Sequence, residues 1–200
     1  MTETTDTRTK ILEAAMERIL HYGYSKTTMS EIAKDCCMSA GNIYRFFASK
    51  LDLAEGMARA FNQKTFERHA VIARRDTPAA DRIREFFHFD LKATFEAIEA
   101  DAKILELAQV LKEERPLYFN EQLAQERIYI VQILTSGMEN GEFRHLPHPD
   151  ETAEFIQSGL MKFRFPQLFS ALTLPKLQRE LDGVLDLMIA GIAAQEPPAK

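Results

Sequence analysis

The chain has 200 residues, 46% of them apolar and 28% charged, which suits one large or two small packed domains and excludes a chain disordered throughout. No apolar run approaches the ~20 residues of a bilayer span, and the polar stretch Met1 to Lys10 does not read as a signal peptide. A net charge of −5 argues against nucleic acid only for the chain as a whole: residues 1–50 carry 7 Lys/Arg against 6 Asp/Glu, residues 51–200 carry 18 against 24. The two cysteines, Cys36 and Cys37, are adjacent and cannot staple distant segments, so a reduced, cytoplasmic setting without membrane contact is expected.

In chain order, Ile11, Leu12, Ala15, Met16, Ile19 and Leu20 repeat at helical spacing behind the capping candidates Asp6 and Thr7. Gly23 suits the left-handed turn that ends this first helix. A second short helix fits Thr28 to Cys36, with Ile32, Ala33 and Cys36 inward, and a third fits Ala40 to Phe47 behind Ser39. A fourth starts near Ser49-Lys50 and carries Leu53, Met57, Phe61 and Phe66 on one stripe. Thr77-Pro78 breaks the pattern. Helices then fit Asp81 to about Glu99, a shorter run through Leu111, and a long one from Pro116 to the C-cap Asn140-Gly141. A Pro-containing loop from His145 to Asp150 precedes helices over Asp150 to Leu172, with a kink expected at Pro166, and over Leu174 to Ile192. No segment alternates as a strand. The expectation is an all-α fold of about nine helices: residues 5–65 as a DNA-binding domain with its helix-turn-helix at 28–47, residues 66–194 as a second helical domain, and 195–200 as a flexible tail.

The stretch from Thr27 to Phe47 carries the function. Two short helices joined by a three-residue connection make the geometry of a helix-turn-helix. On the third helix Ile43 and Phe47 lie within ~40° of each other and face inward. Gly41 and Arg45 then face outward, flanked by Asn42 and Tyr44. A small residue lets a helix sit deep in the major groove, while an amide and a guanidinium read base edges or bind phosphate. Free backbone N–H groups at Thr28, Ser39 and Lys50 suit phosphate oxygens.

This stretch closely resembles the TetR family of regulators. The resemblance runs from about Arg8 to about Met57 through Tyr22-Gly23-Tyr24, the Thr27-Thr28 start, Ile32-Ala33, Ser39-x-Gly41-Asn42-Ile43-Tyr44-x-x-Phe47 and Ser49-Lys50-x-x-Leu53. It implies that Thr28, Ser39, Tyr44 and Lys50 hold phosphates, while Ala40, Gly41, Asn42, Arg45 and Phe46 sit in the major groove of double-stranded operator DNA. Two residues depart from the family pattern. Cys37 stands where the family turns on Gly, which predicts a strained positive φ. Phe46 replaces a polar residue or Tyr, and either contacts a thymine methyl or packs inward.

The resemblance further implies that the remaining helices form a small-molecule pocket and a homodimer surface. Aromatic and sulfur side chains at Phe86, Phe87, Phe89, Tyr118, Phe119, Tyr129, Met161, Phe163 and Phe165 are candidate walls for an apolar or aromatic effector, and His88 is a candidate polar anchor. Phe155, Gly159, Phe163, Leu177, Leu181, Val184, Leu185, Met188 and Ile192 are the candidate dimer interface, on two amphipathic helices suited to a four-helix contact. A dimer matches a palindromic operator, with reading helices ~34–36 Å apart or somewhat more. The expected function is a repressor released by its effector.

Rival readings rest on less. No Gly-rich phosphate loop, His-Glu-x-x-His or Cys-x-x-Cys supports an enzyme or a cofactor, and none is expected. A metal sensor would use His145, His148 and Asp150, but two prolines intervene and no metal site is assigned. A redox sensor would use Cys36-Cys37 through a strained vicinal bond. An all-α protein that binds small molecules or partners without reading DNA would leave Tyr44, Arg45 and Lys50 incidental.

Overall fold

The computed structural model describes residues 2–169 and 171–194. The expected tail, 195–200, lies outside them. Among the described residues there are eleven helices and no strand, with a single isolated bridge between Phe143 and Ala193. The chain folds into two compact units: one runs up to Lys64 and adds Ala97–Phe119, the other takes Thr65–Glu96 and continues from Asn120. The expected boundary at 65/66 put Ala97–Phe119 with the C-terminal half.

In the first unit, α1 (Thr2–Tyr22) contributes Ile11, Ala15 and Ile19 to the core at helical spacing. It stops at Gly23, whose φ of 91° is the left-handed turn and whose N–H reaches the Ile19 carbonyl at 2.8 Å. Short α2 (Met29–Asp35) buries Ile32 and Ala33, and one-turn α3 (Ala40–Ile43) buries Ile43. α4 (Lys50–Ala73) supplies Leu53, Ala54 and Met57 to the same core, whereas Phe61 is exposed. The core is closed by Leu107 and Leu111 of α6 (Lys103–Glu114) and by Tyr118. Gly56 allows a close approach here: a Cβ on it would stand 2.9 Å from the Phe47 ring and 3.1 Å from the Leu12 side chain.

The second unit is built from the later part of α4, most of α5 (Ala79–Ala100), nearly all of α7 (Tyr118–Glu139), α8 (Pro149–Gly159), α9 (Met161–Arg164), α10 (Pro166–Phe169) and α11 (Leu174–Ile192). Its core joins Ile72, Ile83, Phe86, Leu91, Ile133, Leu134, Ile156 and Phe163 to one face of α11. The single helix expected over Asp150 to Leu172 is instead α8, α9 and α10. Leu160, at φ −101° and ψ 8°, ends α8. Phe165 leaves the helical region at φ −136° and ψ 66°, because the ring of Pro166 disfavours helix at the preceding residue. Pro166 therefore starts a helix rather than kinking one.

Candidate DNA-reading surface and effector cavity

The helix-turn-helix is fixed by its caps. The Thr28 hydroxyl accepts from the Glu31 N–H at 3.3 Å, while the Glu31 carboxylate accepts from the Thr28 N–H at 2.9 Å: a full capping box. The Thr28 hydroxyl also donates to this carboxylate at 2.7 Å, and that bond, followed by the one from the Thr28 N–H, holds the Glu31 carboxyl below its usual range. Ser39 caps α3 by accepting from Asn42 N–H at 3.2 Å. Between the two helices Cys37 takes φ 54°, the left-handed conformation expected of a glycine position. Cys36 is half-buried, and burial pushes its thiol up, which disfavours the thiolate that a redox sensor needs.

With Ile43 and Phe47 buried, the opposite face is open. Ala40, Gly41, Tyr44 and Arg45 are exposed, Asn42 is half-exposed, and a Cβ on Gly41 would meet nothing within 4 Å. Phe46 is half-buried and packs against the core, which favours the packing alternative for that residue. Lys50 differs from a simple phosphate anchor: its ammonium donates to the carbonyls of Tyr24 at 2.8 Å and Thr27 at 2.9 Å, and stands 4.2 Å over the Tyr24 ring. Partial burial lowers its pKa. Lys50 thus ties the start of α4 to the loop before α2. Thr28 is likewise engaged in its cap.

Sequence patterning alone missed a second set of ties in this unit, made by α6 and the turn after it. Lys103 donates to the Leu20 carbonyl at the end of α1. Glu106 accepts from the Ser25 N–H at 3.3 Å and its hydroxyl at 3.1 Å. Arg115 donates to Asp52 at 2.6 Å and Glu55 at 3.0 Å on α4. Asp52 is also held by Ser49 at 2.8 Å, and Ser49 followed by Arg115 keeps its carboxyl below the ordinary range.

The second unit contains a small cavity of about 20 Å³ lined by Phe87, Asp90, Leu123, Glu126, Gln157, Leu160, Phe163 and Arg164. Of the nine expected wall residues only Phe87 and Phe163 line it. Phe86 is wholly in the core, stacked on the His69 ring at 3.8 Å between centroids. Phe89 and Tyr129 are half-buried around the same ring at 5.9 and 6.0 Å. Met161 and Phe165 are half-exposed and outside the cavity lining. Tyr118 and Phe119 belong to the first unit, where the Tyr118 hydroxyl accepts from Asn62 at 2.9 Å. His88, the expected anchor, instead pairs with Asp182 of α11 at 2.6 Å. The buried histidine is His69, which meets Asp90 Oδ1 at 2.6 Å. Beside it Gln157 donates to Glu126 at 3.0 Å, and Arg164 donates to the same carboxylate. No sequence signal marks this cluster, because its members come from five helices.

The dimer candidates divide. Leu177, Leu181, Leu185, Ile192 and Phe163 are spent on the core of their own unit and offer no outer face, a correction to the expected interface. A helical apolar stripe has the same period whether it meets its own chain or another. Phe155 and Gly159 on α8 are exposed, Val184 and Met188 on α11 are half-buried, and the neighbouring Leu187 is 77% exposed. His145 and His148 are both exposed, and no three His, Cys, Asp or Glu side chains among the described residues gather into a metal-binding group.

A capped helix-turn-helix with a small, polar reading face, joined to a second helical unit, defines a DNA-binding transcriptional regulator. Comparison with known proteins agrees. Residues 11–57 match the profile of bacterial regulatory proteins of the tetR family, and residues 79–185 match the tetracyclin repressor-like C-terminal domain. The chain belongs to the TetR family of transcriptional regulators, and it is not an enzyme. It is 28% identical over 155 residues to the transcriptional repressor KstR2 of Mycobacterium tuberculosis, covering 75% of this chain and 76% of that one. Over 56 residues it is 39% identical to the regulator UidR of Escherichia coli, 28% of this chain and 29% of the other. Among solved structures, a TetR-family regulator of Mesorhizobium loti superposes with a TM-score of 0.75 at 14% identity, over 97% of this chain and 100% of that one. The fold is also shared, at a TM-score of 0.66 and 21% identity over 92% and 98% of the two chains, with FadR of Bacillus subtilis in complex with stearoyl-CoA.

Proposed function

We propose that the chain is a homodimeric repressor, working in the bacterial cytoplasm, that occludes a palindromic operator and leaves it when an effector with a largely apolar body binds. The observation that carries this is the open face of Gly41, Asn42, Tyr44 and Arg45 on a helix held by two caps and a buried Ile43-Phe47 side. Residues 5–65 are the DNA-binding domain in this reading, and 66–194 serve effector binding and dimerisation. Arg45 and Asn42 read base edges, Ala40 and Gly41 permit close approach, and Ser39, Tyr44 and Lys50 engage the backbone, Lys50 through the ammonium hydrogen left over from its two carbonyl bonds; Thr28 joins them when its donors turn from Glu31 to a phosphate. Exposed Phe155 and Leu187, with Gly159, Val184 and Met188, supply the dimer face. Similar regulators are named for ketosteroids and fatty-acid degradation, which supports an apolar effector.

Effector binding reaches the reader through α4, which continues from one unit into the other and whose start is held by Lys50 and Arg115. A difference of ~1–3 kcal/mol in effector affinity between the two states gives a useful response. The test is to mix the protein with fragmented DNA of its own genome and sequence what it retains. Enrichment of a palindromic site supports the reading, and failure to enrich any site at low and moderate salt sinks it.

A further inference from the structure

The polar groups around the cavity of the second unit say what the effector carries, an inference that rests on the regulator reading above. Glu126 is already occupied by Gln157 and Arg164, so the guanidinium beside the cavity is engaged with a carboxylate. Asp90 is different. Its Oδ1 meets His69 Nε2 at 2.6 Å, while its Oδ2 is buried and finds no protein donor among the described residues. His69 is fully buried against Phe86, and its Nδ1 also finds no partner. In the neutral tautomer whose Nε2–H donates to Asp90, Nδ1 is an acceptor as well. The histidine–carboxylate pair thus keeps two buried acceptors without a protein donor. Asp90 lines the cavity, while Phe87, Leu123, Leu160 and Phe163 give the rest of the wall an apolar character.

We propose that the effector is an apolar molecule with a hydrogen-bond-donating head, an amine or an alcohol, and that Asp90 Oδ2 accepts from that head while His69 positions the Asp90 carboxylate. A hydrocarbon end would bury Oδ2 without a partner, and an anionic end would face two carboxylates, Asp90 and Glu126. The cavity, about 20 Å³, has room for roughly one water, so the head enters only as neighbouring side chains give way. Binding therefore selects a wider arrangement of α5, α7, α8 and α9, which is the property a switch requires.

The test uses a matched series on the full chain: 2-phenylethylamine, 2-phenylethanol, phenylacetate and ethylbenzene, titrated by calorimetry and by the ¹⁵N resonances of the His69 ring. The expected order places the amine and the alcohol about tenfold or more ahead of phenylacetate and ethylbenzene, the scale of one charge-assisted hydrogen bond, with millimolar binding overall. Binding of the amine also shifts the His69 resonances. Asp90→Asn is expected to remove the amine's lead and keep the alcohol, which tells the two heads apart. If that variant does not fold, the order and the ring shifts of the unaltered protein still decide. An order led by ethylbenzene or phenylacetate, binding of none, or amine binding that leaves His69 unmoved would overturn the assignment. So would a single water held on Asp90 that no probe displaces. Any of these results leaves operator enrichment intact, whereas loss of enrichment removes the regulator reading itself.

Discussion

Replacing Cys37 by Gly isolates the one strained backbone position in the reader. Cys37 holds φ 54° between α2 and α3, with its N–H on the Lys34 carbonyl at 3.0 Å and the next N–H, of Met38, on the Ala33 carbonyl at 2.8 Å. A side chain bearing a Cβ costs ~1–2 kcal/mol in this conformation. Glycine removes that cost but surrenders ~0.5–1 kcal/mol more backbone entropy on folding. The net expectation is a gain of about 0.5–1 kcal/mol. For a chain of this size that raises the thermal midpoint by roughly 1–4 °C. The assay is thermal unfolding in reducing buffer, with Cys37→Ala as the control, since alanine removes the thiol and keeps the Cβ. Alanine should leave the midpoint within the equivalent of ~0.5 kcal/mol. If alanine raises it as much as glycine does, or glycine lowers it, backbone strain at Cys37 is not what the turn stores.

Gly56→Ala places a methyl 2.9 Å from the buried Phe47 ring, and thermal unfolding should show a loss of about 1–3 kcal/mol from overpacking. Ser49→Ala removes a bond to the Asp52 N–H at 3.0 Å and one donated to the Asp52 carboxylate, so denaturant titration at neutral pH should show a loss of ~1 kcal/mol. Because the folded pKa of Asp52 is depressed, its share is present above the unfolded value of ~3.9 and is lost as pH falls through the folded value; the gap between the two proteins should narrow in that window. Leu187→Asp changes a side chain that is 77% exposed, so the chain should stay folded while its mass by light scattering halves; an unchanged dimer would move the interface elsewhere.

The reader was open to inference because its determinants are local. Gly23 after a periodic run, Thr28 three residues before Glu31, and Ser39 before a one-turn helix each act within a few positions of themselves. The buried cluster offered no such handle: His69, Asp90, Glu126, Gln157 and Arg164 have no shared spacing and meet only through tertiary packing. His88, the histidine that drew notice in the sequence, faces Asp182 instead. The stripe on α11 was visible, but period alone does not reveal whether Leu181 and Leu185 meet their own chain or another. Lys50 looked like a phosphate ligand from its position at a helix start, and only the fold reveals the two carbonyls it clamps.

The packing of Leu107, Leu111 and Tyr118 into the reader's core bears on any attempt to build chimeric regulators from this chain. A head cut at residue 65 would strip the reader's core of Leu107, Leu111 and Tyr118 and leave the Leu20 carbonyl, Ser25 and Asp52 without Lys103, Glu106 and Arg115. The transplantable piece is discontinuous. A graft of this reading head onto a foreign sensor must carry α6 along, or rebuild its inner face on the host.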